Sequence, residues 1–399
     1  MPALSGPRPA TPPVLLIIAV LLSAGLFLAA CQPASAQEPD TPTPLPPTST
    51  PTDTPAPAPT PTGTPTPRPT ATPAPPPVIG PEAYPEDVNP LTGLPVSDPA
   101  VLHRRPLLIK ISNAPPVVRP QSGISYADLI FEHYAEGGWT RFTALFYSQG
   151  APHIGSVRSV RLIDLQLAPA YDALLVFSGG SLGVIDSVRE SPLYPYNVIS
   201  PQFGYGEPYF VRFPRPDLPF EHTLFTSSDI LWQWADEHNV RSEPRFSTPG
   251  LAFCEVPPDG GAPAGAARLE YSRESVLWRY DPLSGAYLRW SDGVPHTDAL
   301  TGQQIAFENV IVISAYHEEV DLFPEKYFGT EKSLYIELQG EGPATLLRDG
   351  QAFEGRWHRQ GPQDQFALTD MNGNPLLLRP GRTFFQIIRA GFEQLIVEP

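Results

Sequence analysis

The sequence predicts an α+β fold, with a mixed α/β N-terminal domain followed by a mostly antiparallel β C-terminal domain. Three observations predict it. Apolar strand candidates alternate with segments of helical period in the first half. Short strand candidates separated by Asp-Gly and Asn-Gly turns fill the second half, and a Pro/Gly/Ala-rich stretch lies between the two. The chain has 399 residues, of which roughly 320 have ordinary apolar content and can bury a large core.

Charge and cysteine content exclude several classes of protein. The formal net charge is −16, whereas a general nucleic-acid binder needs a basic face to neutralise phosphates. Two cysteines cannot form a disulfide framework, and no Cys/His spacing suits a structural zinc site. No nucleotide-binding or metalloprotease motif is present either. We therefore expect no nucleic acid, metal or cofactor.

The N-terminus, residues 1–31, has the order of a lipoprotein signal peptide. Arg8 precedes a 17-residue apolar run at 14–30, which ends in Leu-Ala-Ala-Cys at 28–31. This ending is typical of the bacterial lipobox, in which small residues fit the peptidase and the cysteine thiol becomes a thioether to diacylglycerol. Two acyl chains anchor a protein stably to a membrane, whereas a single chain gives only marginal membrane binding. We expect Cys31 to anchor the chain to the outer face of the cell membrane; the alternative is an uncleaved transmembrane helix.

Residues 32–80 are predicted to be a disordered Thr/Pro-rich linker. This segment holds a third of the 54 prolines of the chain and almost no residue that can enter a core. Proline favours the extended polyproline II conformation, which rises about 3.1 Å per residue, so the linker could reach on the order of 150 Å. A spacer of that length would carry a domain well away from the membrane.

The N-terminal α+β domain is predicted at 81–246. The turn at 136–138 should join two of its strands into a hairpin. The helix at 227–238 is expected to start at Thr226 with a capping box and to place Trp232 and Trp234 in the core. The predicted strands are 106–112, 128–134, 139–147 and 173–177, and the predicted helices are 159–168 and 227–238.

An interdomain loop is predicted at 247–268, followed by a β-rich C-terminal domain at 269–399. If Cys31 carries lipid, Cys254 has no disulfide partner, and its position next to Phe253 favours burial. The predicted strands of this half are 275–280, 286–290, 309–315, 332–339 and 383–389.

A set of short motifs is spread over both halves of the chain. These motifs are 89–93 (NPLTG), 111–114 (ISNA), 119–121 (RPQ), Glu132, 137–138 (GG), 140–142 (TRF), 155–161 (GSVRSVR), 179–181 (GGS), 278–280 (WRY), 296–298 (HTD), 301–302 (TG) and 309–312 (NVIV). In combination they resemble the YerB-like lipoproteins. The resemblance covers 84–399 and implies an exported two-domain lipoprotein of α and β structure; it implies no activity, because that family is catalogued as a domain of unknown function. One departure is the segment 221–226, where Glu and Thr replace the Pro and Asn expected around His222.

Four charged residues form the first candidate site. Glu132 lies inside an apolar strand and Arg141 on the strand paired with it, so a cross-strand ion pair is expected. Arg158 and Arg161 are three residues apart at a predicted helix start, where arginines can clamp a carboxylate or phosphate. Two interpretations remain open: the four residues neutralise one another in a buried network, or they bind an anionic or carbohydrate envelope component or a protein partner.

Ser181 is the second candidate. Residues 179–183 (GGSLG) fit the G-x-S-x-G pattern of a nucleophile elbow, follow an apolar strand and precede a helical segment. Asp217 followed by His222 or His238 would complete the order Ser, Asp, His. However, no His-Gly-Gly-Gly oxyanion loop lies upstream, and glycines after a buried strand often allow close packing. We expect no histidine to approach Ser181, which instead lines an anion pocket or bonds to local backbone.

The third candidate is the segment 296–298 (His-Thr-Asp), which places an imidazole and a carboxylate on one side of a strand. No third ligand is visible, so a metal site is not expected. The sequence therefore favours a non-catalytic, lipid-anchored envelope protein with a binding role. The alternative is a serine hydrolase or transferase that acts on cell-wall polymers through Ser181 and His222.

Overall fold

The computed structural model describes residues 77–323, 326 and 332–399. The predicted signal peptide with Cys31 and most of the predicted linker lie outside these residues. Within the described part of the chain, no helix combines the length and the apolar character needed to cross a membrane.

The first half of the described region contains eight strands and three α-helices, numbered here in chain order. They are β1 (Leu107–Ser112), β2 (Leu129–Tyr134), β3 (Thr140–Phe146), β4 (Ile154–Gly155), α1 (Asp164–Ala170), β5 (Leu174–Val176), α2 (Leu182–Glu190), β6 (Val198–Ile199), β7 (Val211–Arg212), β8 (Leu224–Thr226) and α3 (Ser228–Glu237).

The second half of the described region is built from strands. They are β9 (Ala252–Phe253), β10 (Ala262–Pro263), β11 (Ala266–Tyr271), β12 (Glu274–Asp281), β13 (Ala286–Ser291), β14 (Val294–Pro295), β15 (Ala306–Phe307), β16 (Asn309–Ala315), β17 (His317–Asp321), β18 (Lys332–Ile336), β19 (Gly340–Arg348), β20 (Gln351–Arg359), β21 (Ala367–Asp370), β22 (Leu377–Leu378), β23 (Thr383–Arg389) and β24 (Leu395–Glu398).

One mixed sheet of eleven strands runs through both halves, in the order β10-β20-β19-β16-β23-β2-β3-β1-β5-β6 with β21 beside β20. Strand β2 of the first half pairs in parallel with β23 of the second, while β1, β2 and β3 pair antiparallel and β5 and β6 extend the sheet in parallel. A second sheet has the antiparallel order β14-β13-β12-β11-β24, with β15 beside β13. The predicted α+β class is confirmed.

The β2–β3 hairpin divides its side chains between the two faces of the large sheet. Successive residues of a strand point to opposite faces. Leu129 and Phe131 therefore join one apolar core, whereas Ile130 and Phe142 join the other. This alternation decides which polar residues of the hairpin can meet.

Helix α1 begins at Asp164, five residues later than predicted. The backbone of the preceding segment bonds to neighbouring strands and loops instead of to itself. Arg158 N donates to Lys110 O at 2.9 Å, and Val160 N donates to Gly179 O at 3.0 Å. Arg158 and Arg161 consequently lie on a loop and not on a helix face.

Helix α3 is capped one residue later than predicted. The side chain of Ser227, not Thr226, accepts a hydrogen bond from Ile230 N. Thr226 is the last residue of β8 and faces Ile154. Trp232 and Trp234 are buried, as predicted.

The folded region begins before the predicted end of the linker at residue 80. Ile79 N donates to Phe253 O at 2.9 Å, and Phe253 N donates to Ile79 O at 2.8 Å. Ile79 also packs against an apolar core. Cys254, which follows Phe253, is buried and unpaired, in agreement with the sequence-based expectation.

Candidate functional site

Three of the predicted site residues, Arg141, Arg158 and Arg161, converge and are called here the arginine cluster. Arg141 lies on β3, and the other two lie on the loop between β4 and α1. Arg141 is only 9 % exposed. Burial lowers the pKa of Arg141 to about 9, and the positive charges of Arg161 and Arg158 add to this effect. The three guanidinium groups are therefore close enough to repel one another.

The arginine cluster has few negative partners. Arg141 Nη1 donates to Thr140 O at 2.9 Å, and Arg158 Nη1 donates to Glu221 O at 3.1 Å, both of which are backbone carbonyls. Only Arg161 forms an ion pair, with Glu136 at 2.5 Å. Among the described residues, no protein group hydrogen-bonds to Nη2 of any of the three arginines, and the Nε atoms of Arg141 and Arg158 are buried without a partner.

The buried Lys110 fixes the loop at two positions, Arg158 and Arg161. The carbonyl of Lys110 accepts the N–H of Arg158 at 2.9 Å. Lys110 Nζ lies 2.9 Å from Asp164 Oδ1, and Asp164 Oδ2 accepts the N–H of Arg161 at 2.7 Å. Burial lowers the pKa of Lys110 to about 8, against the opposing effect of Asp164. These contacts fix residues 158–161, called here the arginine loop, to β1.

The glycine loop, residues 178–181, runs beside the arginine loop. Ser178 N donates to Arg158 O at 2.9 Å, and Gly179, with a φ of +79°, accepts from Val160 N. Within the described residues, the N–H groups of Gly179, Gly180 and Ser181 have no hydrogen-bond acceptor. Successive free N–H groups around a residue with positive φ form a concavity suited to an anion.

Ser181 directly precedes α2, so the predicted strand–turn–helix context is present. All eight histidines of the chain lie in the described residues, and none hydrogen-bonds to Ser181. His222 Nδ1 lies 3.2 Å from Ser112 Oγ, and His238 Nδ1 lies 2.8 Å from Trp234 O. Asp217 pairs with its neighbour Arg215. A Ser-His-Asp triad is therefore not assembled.

His222 belongs to the surroundings of the arginine cluster. Burial and the positive charges of Arg158 and Arg141 lower the pKa of His222 to about 4, against the opposing effect of Glu221. The imidazole is neutral near pH 7. It contributes a polar group without adding to the positive charge of the cluster.

Glu132 does not join the arginine cluster, and the cross-strand ion pair expected with Arg141 does not form. In the β2–β3 register Glu132 is opposite Phe142, and Arg141 is opposite His133. Neighbouring positions point to opposite faces, so a shift of one residue separates the two side chains. Glu132 pairs instead with Arg289 at 2.8 Å.

Glu132 is part of a buried network that joins the two halves of the described region. Arg289 Nη2 lies 2.8 Å from Glu132 Oε2 and 3.2 Å from Glu274 Oε1. Asn113 Nδ2 and Thr140 Oγ1 each lie within 3.1 Å of both carboxylates. Burial raises the pKa of Glu132 to about 7, and Glu274 adds to this effect while Arg289 opposes it. None of the three arginines bonds to Glu132 in this network, so the four predicted residues do not neutralise one another.

The residues of the His-Thr-Asp segment also bond within the protein. His296 Nε2 lies 2.6 Å from Gln121 Oε1. Asp298 accepts hydrogen bonds from the backbone of Gly123 and Ser125 at 2.9 and 2.8 Å. Within the described ranges, no three His, Cys, Asp or Glu side chains are arranged to hold a metal ion.

Sequence reasoning missed Lys110 and Arg289. Lys110 is one of three lysines in the chain and stands inside the apolar segment PLLIKIS. A charge in a continuous apolar run is a detectable signal, because an ion is buried only with a partner. Arg289 offered no such signal, since it lies on a strand of alternating character, 157 positions from Glu132.

The fold and the matched motifs define a two-domain protein class without an assigned activity. Residues 91–241 match the family model "Protein of unknown function (DUF3048) N-terminal domain", and residues 267–385 match the corresponding C-terminal domain. The chain belongs to this YerB-like family.

Two comparisons support the membership. The chain is 28 % identical over 303 residues to "Putative lipoprotein YerB" of Bacillus subtilis (strain 168), covering 75 % of this chain and 85 % of that protein. The crystal structure of the YerB protein from Bacillus subtilis superposes with a TM-score of 0.63 at 27 % identity, covering 77 % of this chain and 99 % of that one. The relative's name supports a membrane-anchored lipoprotein of unknown function.

Proposed function

We propose that the chain is an extracytoplasmic binding protein, tethered through lipid on Cys31, whose arginine cluster holds an anionic group of a cell-envelope component. One observation carries the proposal. Three neighbouring guanidinium groups, one of them on the nearly buried Arg141, form a single ion pair among the described residues, between Arg161 and Glu136, although the charge of Glu221 also acts on Arg158.

The electrostatics of the arginine cluster favour an added anion. A buried charge without a partner is costly, and like charges beside it raise the cost further. A phosphate or carboxylate on the three unbonded Nη2 groups would offset both effects. Guanidinium groups bind such oxygens in paired, charge-assisted hydrogen bonds. The free N–H groups of the glycine loop would add neutral donors to the same anion.

In this proposal the lipid tether would bring such a site within reach of the envelope. If the Thr/Pro-rich linker takes the extended conformation predicted from its composition, it would span on the order of 100 Å or more. The folded region would then meet wall polymers rather than the membrane surface. Ser181 lines the site in this proposal as a backbone donor and not as a nucleophile.

Binding to isolated wall material tests the proposal. The lipidated full chain in detergent should co-sediment with purified wall fractions, and Arg158→Gln should weaken this binding about tenfold or more, because a charged hydrogen bond contributes about 1.5–3 kcal/mol. The control is Arg356→Gln, which changes a half-buried arginine on β20 that pairs with Glu341 on β19. Stripping phosphodiester polymers with hydrofluoric acid, or neutralising carboxylates with carbodiimide, identifies the anion. Equal binding by both arginine variants and the unaltered chain would refute the proposal.

A further inference from the structure

An exposed aromatic ring lies at the rim of the arginine cluster. Phe220 begins the short 3₁₀ helix Phe220–His222 and is 66 % exposed. The next residue, Glu221, gives its carbonyl to Arg158 Nη1 at 3.1 Å. Consecutive Cα atoms are about 3.8 Å apart, so the Phe220 backbone is directly adjacent to a carbonyl that Arg158 holds.

A fourth arginine fixes this ring and extends the positive charge. Arg212, on β7, donates through Nη1 to Phe220 O at 2.7 Å, and its guanidinium carbon lies 3.8 Å from the centre of the Phe220 ring. Burial lowers the pKa of Arg158 against the opposing effect of Glu221, and the charges of Arg161 and Arg212 lower it further. The Arg212 guanidinium thus lies over one face of the Phe220 ring, and most of the rest of this side chain is exposed to solvent.

The exposed Phe220 ring and the neighbouring arginines together favour a particular class of ligand. An aromatic face offers a flat apolar platform with a negative quadrupole, on which the C–H face of a ring can pack. Binding sites commonly pair such a platform with a few charged groups that fix orientation. A ligand that satisfies both features carries a ring and an anion a short distance apart.

We infer that the ligand of the arginine cluster is an anionic carbohydrate, with a sugar ring packed on Phe220 and its phosphate or carboxylate held by Arg158 and Arg141. This inference rests on the proposed function and narrows its ligand class. It assigns a specificity role to Phe220, which lies outside the arginine cluster itself. A free anion would use the arginines alone.

Calorimetric titration of the lipidated full chain separates the contribution of the Phe220 ring to ligand affinity from that of the arginines. The probes are inorganic phosphate, glucose, glucose 1-phosphate and glucuronate. Both sugar anions should bind, glucose should not, and the preferred sugar anion identifies the charged group as phosphate or carboxylate. Phe220→Ala should weaken the sugar anion about tenfold and leave phosphate unchanged, whereas Phe220→Trp should retain binding of both.

The chain offers a matched control for the aromatic change. Phe392 is also exposed, at 75 %, with the guanidinium of Arg389 5.0 Å from its ring, so Phe392→Ala should leave every affinity unchanged. Suppose that Phe220→Ala leaves the affinities for the sugar anion and for phosphate unchanged, while Arg158→Gln weakens both affinities. The carbohydrate inference is then wrong and the proposed function stands. Unchanged binding in Arg158→Gln would overturn both the proposed function and the carbohydrate inference. If neither sugar anion binds saturably, the carbohydrate inference is overturned.

Discussion

Lys110 Nζ and Asp164 Oδ1 lie 2.9 Å apart, and neither side chain is exposed to solvent. The remaining donors of the ammonium are also used, by His133 Nε2 at 2.6 Å and Thr143 Oγ1 at 2.8 Å. A fully bonded ion pair of this kind resists rearrangement, because each partner would be left as a buried charge. The pair therefore fixes the loop that carries Arg158 and Arg161.

Replacing Lys110 should be strongly destabilising. In Lys110→Met the Asp164 carboxylate stays buried without its cation, so the free energy of unfolding should fall by about 3–5 kcal/mol in denaturant titrations. The control is Lys332→Met, because Lys332 and Glu319 form an exposed pair at 3.8 Å. That change should alter stability by less than about 1 kcal/mol. Equal effects of the two substitutions would show that the buried pair does not fix the loop.

Glu132 should make the fold less stable as pH rises from 4.5 to about 7. Burial raises the pKa of Glu132 from 4.5 to about 7, so the folded chain binds one more proton than the unfolded chain in this window. The stability that this group contributes is complete below pH 4.5 and falls by at most about 1.4 kcal/mol per pH unit. Glu132→Gln should lack this component of the pH dependence in unfolding titrations.

Glu274 provides the comparison with opposite sign. Burial acts to raise the pKa of Glu274, but Arg289 and Arg119 outweigh it and lower that pKa below 4.5. The stability contributed by Glu274 is therefore present above pH 4.5 and lost as pH falls further. Glu274→Gln should change the pH profile in that acidic range. Identical profiles for Glu132→Gln and the unaltered chain would contradict the assignment.

Ser181 should not react as an activated nucleophile. An acyl-transfer serine needs a base to accept its proton, and none of the histidines hydrogen-bonds to Ser181. A fluorophosphonate probe should leave the chain unlabelled, as it should Ser181→Ala. Stoichiometric labelling that disappears in Ser181→Ala would make the hydrolase hypothesis the better one.

Cys31 should be the mature N-terminus and carry lipid, since it ends the Leu-Ala-Ala-Cys segment behind an apolar run. Mass spectrometry of the membrane-extracted protein checks this directly. Cys31→Ser should remove the lipid mass and release the chain from the membrane fraction. An unmodified Cys31 on a chain that retains Met1 would rule out the anchor.

Local patterns predicted the hairpin and the strand–turn–helix at Ser181, because each depends on neighbouring residues. Arg158 and Arg161 lie near Arg141, but on a loop and not on the predicted helix. The position of Glu132 could not be predicted in this way. Its partner depends on the register of the β2–β3 turn, where a shift of one residue reverses the face of every side chain. The true partner, Arg289, comes from the other half of the chain, and only the tertiary fold brings the two together.

The guanidinium of Arg141 reports on the central claim most directly, because it is nearly buried and lacks a carboxylate partner. Its side-chain Nε–H resonance can be followed by NMR while a phosphate- or carboxylate-bearing wall polymer is added to the lipidated full chain. The proposal predicts a saturable shift of the Arg141 resonance that is lost in Arg158→Gln, with the Arg356 resonance unchanged. Saturable polymer binding that leaves the Arg141 resonance where it was would contradict the account.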